Sequence, residues 1–385
     1  MRAFNGERLK EARYYNSLSI SDLADKLGVS KQMVSKYENG KSTPGAEILF
    51  EVIQTLKFPS EFYFQMDEFD EGTSGTFYRS RLTSTQKQKA PSESIKKALV
   101  IYRDYLEEHV EFPILVKPHF ENIEQLIEEK NFDEIAGKLR EFWNIGDDPI
   151  PNIMYLLEEH GFVIGLLPTD MEKVDAFSSH EQINGNDYYV ILSKKVKTSF
   201  FRQQFSLAHE LGHWIMHSDL IDPQHLDTVE YREKESDAND FASSFLLPKR
   251  SFLKDLAQGP INLSLLASLK GKWHVAIGAL LMRAYKLDAI TEEQYVKMQK
   301  QISYYGWRKV EPLDDITEKA IPLSLRQATE LLVDNNVVTA AQIPEQIQKK
   351  YKRAYPISML EEVASLAPGY LSYKDGEVVR LKYFI

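Results

Sequence analysis

Apolar positions in the first 65 residues recur with helical spacing. Leu9 and Ala12 begin one stripe, and Leu18, Ile20, Leu23, Ala24 and Leu27 make a second. Ser19 or Ser21 stands where it can cap the second helix, and Gly28 where it can end it. Ser30 can cap a third helix, Lys31 to Glu38, which stops at Asn39–Gly40. Past Pro44 a fourth carries Ile48, Leu49, Val52, Ile53 and Leu56. The pattern predicts a compact unit of short helices over residues 1–65.

Residues 66–92 lose the periodicity. Gly, Ser, Thr and charge dominate, and Pro91 stands near the end, so this stretch reads as a linker exposed enough to be cut. Phe77, Tyr78 and Arg79 are its expected docking points. Helical spacing returns over 93–160. Three short runs rich in Val, Ile, Tyr and Phe then follow: Phe162–Leu167, Val174–Ser178 and Tyr188–Ser193, with Asn184–Gly185–Asn186 as turn chemistry before the last. They predict a small three-stranded sheet. Helix is expected again over 199–217, over 232–247 up to Pro248, and over 263–302. Residues 311–385 read as a mixed tail of unassigned role, helical first, with a hairpin around Asp375–Gly376.

At 385 residues the chain is long enough for two or three cores. Without cysteine it can build neither a disulfide scaffold nor a thiolate metal site, so any metal must rest on His, Asp or Glu. The net charge of −10 argues against a nonspecific nucleic-acid binder. That charge is uneven: residues 1–65 hold 9 Lys/Arg and 8 Asp/Glu, so the acidity lies in the rest. No apolar run approaches the roughly 20 residues needed to cross a bilayer, and the N-terminus lacks a signal-peptide core. The expectation is a cytoplasmic protein without membrane contact.

His209-Glu210-Leu211-Gly212-His213 carries the most chemistry. Histidines at i and i+4 share a helix face and can bind one cation, and the glutamate between them can act as a general base on bound water. His217 continues the series, but on a straight helix it lies about 12 Å from His209, too far to share the ion. A better third donor is Glu235. It heads a stripe of Glu235, Ala238, Asn239, Ala242 and Leu246, whose alanines allow another backbone to come close. Asp237 ranks second, and His225 and Asp227, in an expected loop, stay open. Tyr188, Tyr189 and His180 stay open as donors to a developing oxyanion.

The runs RQQFSLAHELGHWIMH and EKESDANDFASSFLLP, with KGKWHVAIGALLMRA after them, resemble the ImmA/IrrE family of bacterial metallopeptidases. The resemblance implies an α+β zincin-like, gluzincin-type domain within 93–310, with its core at 161–250. It further implies zinc on His209, His213 and Glu235, Glu210 as the catalytic glutamate, and a protein substrate, usually a helix-turn-helix repressor that is cut. The run LSISDLADKLGVSKQMVSKYENGKSTP resembles the XRE (Cro/repressor) helix-turn-helix family. That implies an all-α DNA-reading domain, with Lys31, Gln32 and Lys36 reaching bases or phosphates of a double-stranded operator, Asn39 and Lys41 on the backbone, and a homodimer. Together they suggest a multidomain regulator with an endopeptidase domain. The rival reading is a non-proteolytic transcription factor or antitoxin-like regulator that uses the peptidase fold as a sensor.

Overall fold

A computed structural model describes residues 3–66, 71–78, 86–167, 176–195, 198–218 and 227–372, with 71–78 and 86–90 described by their backbone alone. The first unit consists of α1 (Gly6–Tyr15), α2 (Ile20–Leu27), α3 (Lys31–Glu38), α4 (Ala46–Leu56) and a 3-10 turn, Ser60–Phe64. Ser19 caps α2 in a reciprocal box with Asp22, and Gly28 closes it in the left-handed region at φ 64°. Ser30 caps α3 through the Met33 amide. Leu9, Leu23, Val34 and Val52 are fully buried between these helices.

The segment read as a linker needs correcting. Its residues Glu71–Tyr78 form a strand, β1, and Pro91 lies inside a long helix, α5 (Gln86–Leu106). The strands expected downstream are β2 (Val163–Leu167), β3 (Ala176–Ile183) and β4 (Asn186–Lys194). With β1 they make, among the described residues, a mixed sheet of four strands, not three, in the order β1-β3-β4-β2. β2 runs parallel to β4, and the other two pairings are antiparallel. The placement of Arg79 and of the hairpin expected at Asp375–Gly376 lies outside the described residues, as do the side chains of Phe77 and Tyr78.

Helices cover both faces of the sheet, so β2 and most of β4 are buried on both sides. Tyr188, Val190 and Leu192 of β4 join a core with α5, while Tyr189 and Ile191 join a second core with α9 (Phe200–His217). The second core continues through α6 (Ile123–Glu128), α7 (Phe132–Phe142), α8 (Ile153–Glu159), α10 (Thr228–Leu246), α11 (Lys249–Leu256), α12 (Leu263–Trp273), α13 (Ile277–Lys286) and α14 (Glu292–Tyr304). The C-terminal helices α15 (Ser324–Asp334), α16 (Gln342–Tyr351) and α17 (Ile357–Val363) belong to the first core, with α5 and the N-terminal helices.

Asp104 on α5 ties this side together. It accepts from Asn186 and Tyr188 of β4 at 3.0 Å each, and from Lys350 (2.9 Å) and Tyr351 (2.5 Å) of α16. Arg353, 1% exposed, is ion-paired with Glu11 of α1, and the Ala354 amide donates to Gln65 at 3.1 Å. Of the tail read as unassigned, residues 324–372 therefore form a buttress between α5 and the N-terminal unit.

Candidate functional site

α9 starts at Ser199, whose hydroxyl accepts from the Arg202 amide, and is buried for most of its length. α10 starts at Asp227 in a second reciprocal box with Glu230, so this carboxylate, an open metal donor on sequence, is a helix cap. The two helices touch where α9 carries Gly212 and α10 carries Ala238. A Cβ on Gly212 would stand 3.2 Å from Ala238 Cα and 3.0 Å from a Phe241 ring carbon. Small residues on both sides let the backbones approach, and that approach brings Glu235 over the histidine face.

His209 Nε2 and His213 Nε2 stand 3.1 Å apart, and the Glu235 carboxylate oxygens lie 3.5 Å and 3.4 Å from them. One donor atom from each falls within 4.8 Å of the others, the only such trio among the described residues. Both histidines are about 1% exposed. An ideal zinc tetrahedron with bonds near 2.0 Å separates its corners by about 3.3 Å, so the three donors fit a zinc-sized ion.

The outer nitrogens fit as well. His209 Nδ1 lies 3.1 Å from Asn239 Oδ1, and His213 Nδ1 lies 3.1 Å from His217 Nδ1. A proton on each outer nitrogen, donated to these partners, leaves both Nε2 lone pairs aimed at the common point. Burial, reinforced by the neighbouring His213, holds His217 well below the ordinary histidine range, so it serves as a neutral acceptor. Burial alone would push the Glu235 carboxyl up. The facing His209 and His213 imidazoles outweigh it and hold the carboxyl well below the usual range, in the charged form that a metal ligand requires.

Glu210, 2% exposed, accepts a 2.6 Å hydrogen bond from Ser178 of β3, whose oxygen in turn accepts from the Tyr189 hydroxyl at 3.1 Å. The structure separates the other acids from this group. Asp237 takes a 2.8 Å bond from Lys130 of the α6–α7 turn, and His225 lies outside the described residues. Of the expected oxyanion donors, Tyr188 faces the opposite side of the sheet on Asp104 and Glu107, and His180 pairs with Asp187 at 3.1 Å. Tyr189 is engaged with Ser178. Sequence reasoning left Asn239, Ser178 and His217 without a site role. Asn239 was legible as i+4 from Glu235 on the same stripe, whereas Ser178 carries no local signal.

On α3, Lys31, Gln32 and Lys36 are all exposed, as are Asn39 and Lys41 just beyond it. The Asn39 amide turns back to donate to the Ser35 carbonyl at 2.7 Å. A buried Arg13–Glu38 pair, with bonds of 2.5 Å and 2.9 Å, fixes α3 against α1. Val34 and Tyr37 face inward.

Comparison with known proteins gives a family likeness for each of these two units. Residues 9–62 match the helix-turn-helix family, and residues 157–285 match the peptidase family described as the IrrE N-terminal-like domain. The chain carries a region similar to each family. The IrrE N-terminal-like match runs from α8 through α13 and contains all of the His209, Glu210, His213 and Glu235 site. The chain is also similar to an uncharacterized HTH-type transcriptional regulator of Sinorhizobium medicae, 33% identical over 70 residues, which are 18% of this chain and 50% of that one. An uncharacterized transcriptional regulator in the ATPase CF(0) region of Rhodospirillum rubrum is 32% identical over 59 residues, 15% of this chain and 55% of that one. The chain thus spans about half the length of the curated relatives it matches. No described helix is long and apolar enough to cross a membrane.

Proposed function

We propose that this protein is a DNA-binding regulator whose IrrE N-terminal-like domain is a zinc-dependent endopeptidase acting on a regulatory protein of the repressor or antitoxin type. The observation that carries the reading is the convergence of His209, His213 and Glu235, with Glu210 beside them and an outer acceptor for each imidazole. A purely structural histidine pair would have no use for the carboxylate at 210.

Zinc held by these three residues would supply Lewis acidity, lowering the pKa of water and polarising a peptide carbonyl. Glu210 takes the proton from the attacking water and returns it to the leaving amine. Ser178 donates to one Glu210 oxygen, which holds the carboxylate in place. Burial pushes the Tyr189 hydroxyl far up, so it stays protonated and keeps Ser178 oriented as a donor. In the other domain, exposed Lys31, Gln32 and Lys36 would read an operator in the major groove, with Asn39 and Lys41 at the backbone and two copies on two half-sites.

Zinc per chain and cleavage test the reading together. The wild type should hold about one zinc, and Glu210→Gln should keep zinc and operator binding while losing about a hundredfold or more in cleavage. If Glu210→Gln leaves target-gene control in cells unchanged, proteolysis is not how the protein regulates.

A further inference from the structure

β1 lies on the outer edge of β3, and β3 is the strand that reaches the candidate catalytic glutamate. Ser178 donates to Glu210 at 2.6 Å, and the residue opposite Ser178 in the β1 ladder is Phe77. Adjacent strands are about 4.8 Å apart, so the β1 backbone passes one strand spacing from the residue that touches Glu210. A protein substrate must present an extended backbone here, and a sheet edge captures extended peptides through main-chain hydrogen bonds. The edge of β3 that could do so is already taken by residues 71–78 of the same chain.

The occupant is built to leave. EGTSGTFY has two glycines and no valine or isoleucine, and its register slips by one residue between Ser74 and Thr76. It has no strand on its other side among the described residues. It also follows the helix-turn-helix domain directly, with six residues between Phe64 and Glu71. By contrast, β3 is held by a full antiparallel ladder to β4, from Ala176↔Ser193 to Ile183↔Asn186.

We propose that the outer edge of β3 is the peptide-binding edge of the site and that β1 is its in-chain occupant, so that a substrate strand enters only when β1 leaves. This deepens the peptidase reading and rests on it for its purpose. The partner it fits is an unfolded or edge segment of another protein, taken up through its backbone. Because β1 is tethered to the helix-turn-helix domain, a ligand that moves that domain off α5 and α16 would also pull on β1.

The test uses the full zinc-loaded chain carrying Glu210→Gln, so that it does not depend on turnover, and a fluorescent peptide copying residues 71–78. Thr76→Pro with Phe77→Pro removes two consecutive main-chain N–H groups, at least one of which faces β3. The peptide should bind this variant at least tenfold more tightly than the chain with β1 intact. Hydrogen exchange on the chain without the prolines gives a second reading: excess peptide should strip protection from amides in 71–78 and leave 176–183 protected. Equal peptide binding with and without the prolines, or unchanged protection of 71–78 under excess peptide, overturns the proposal. Binding to the vacated edge, with no cleavage of any repressor- or antitoxin-type protein by the chain that keeps Glu210, would leave the edge assignment standing and remove the peptidase reading.

Discussion

Each histidine of the site has one nitrogen aimed inward and one tied outward, and the outward bond decides which tautomer is present. Asn239 does this for His209, and buried, neutral His217 does it for His213. Partners of this kind typically account for ten- to a hundredfold in metal affinity. Asn239→Ala should therefore weaken zinc binding by about that factor while leaving the fold intact, as measured by competition with a chromophoric chelator. Affinity within twofold of the wild type would show that Asn239 does not orient His209. The candidate ligand set could be read in the chain because the i, i+4 and stripe relations are local to single helices. The Ser178–Glu210 bond could not, since it joins residues 32 apart through a strand–helix contact.

Where α9 crosses α10, the spacing of the two backbones is set by the absence of side-chain volume. Alanine normally gains about 1 kcal/mol over glycine within a helix, but overfilling a close contact typically costs about 1–3 kcal/mol. At Gly212 the nearest atoms include backbone of Ala238, which cannot rotate away. Gly212→Val should lower stability by about 2–3 kcal/mol and reduce zinc occupancy, because Glu235 retreats with α10. A urea midpoint unchanged from the wild type would mean that the helices can separate without loss. β1 shows the opposite limit of local reading. Its glycines and threonines specify nothing by themselves, and it becomes a strand because β3 offers an edge that pairs with it.

Across the whole molecule, α5 is the element on which the N-terminal unit, the sheet and the C-terminal helices meet, and Asp104 is its polar centre. Burial pushes its carboxyl up, but hydrogen bonds from Tyr351, Asn186 and Lys350 outweigh that and lower it below the ordinary value. A carboxyl lowered in the folded state contributes stability that is present above its unfolded pKa of about 3.9 and lost as pH falls through the folded value. Asp104→Asn should therefore cost about 2 kcal/mol at pH 7, where it leaves the Tyr351 hydroxyl poorly partnered, Tyr188 with Glu107 alone and Lys350 with Glu108 alone. The gap between the two proteins should narrow below about pH 4. Denaturant melts at pH 7 and pH 3 check this, and a gap that stays constant with pH would show that Asp104 is not charged in the folded protein.

Both family matches, the four-helix signals of the N-terminal unit and the candidate metal-ligand types were present in the order of residues, because capping, helical periodicity and motif spacing act within a few turns of chain. The union of the C-terminal helices with α5 and the N-terminal helices, the recruitment of residues 71–78 as a fourth strand, and the side of the sheet that each tyrosine faces were settled only by packing. Those features join segments as far apart as Glu11 and Arg353. Their free energy comes from burial and hydrogen bonds that exist only once the chain has folded, and so leaves no periodic trace along it.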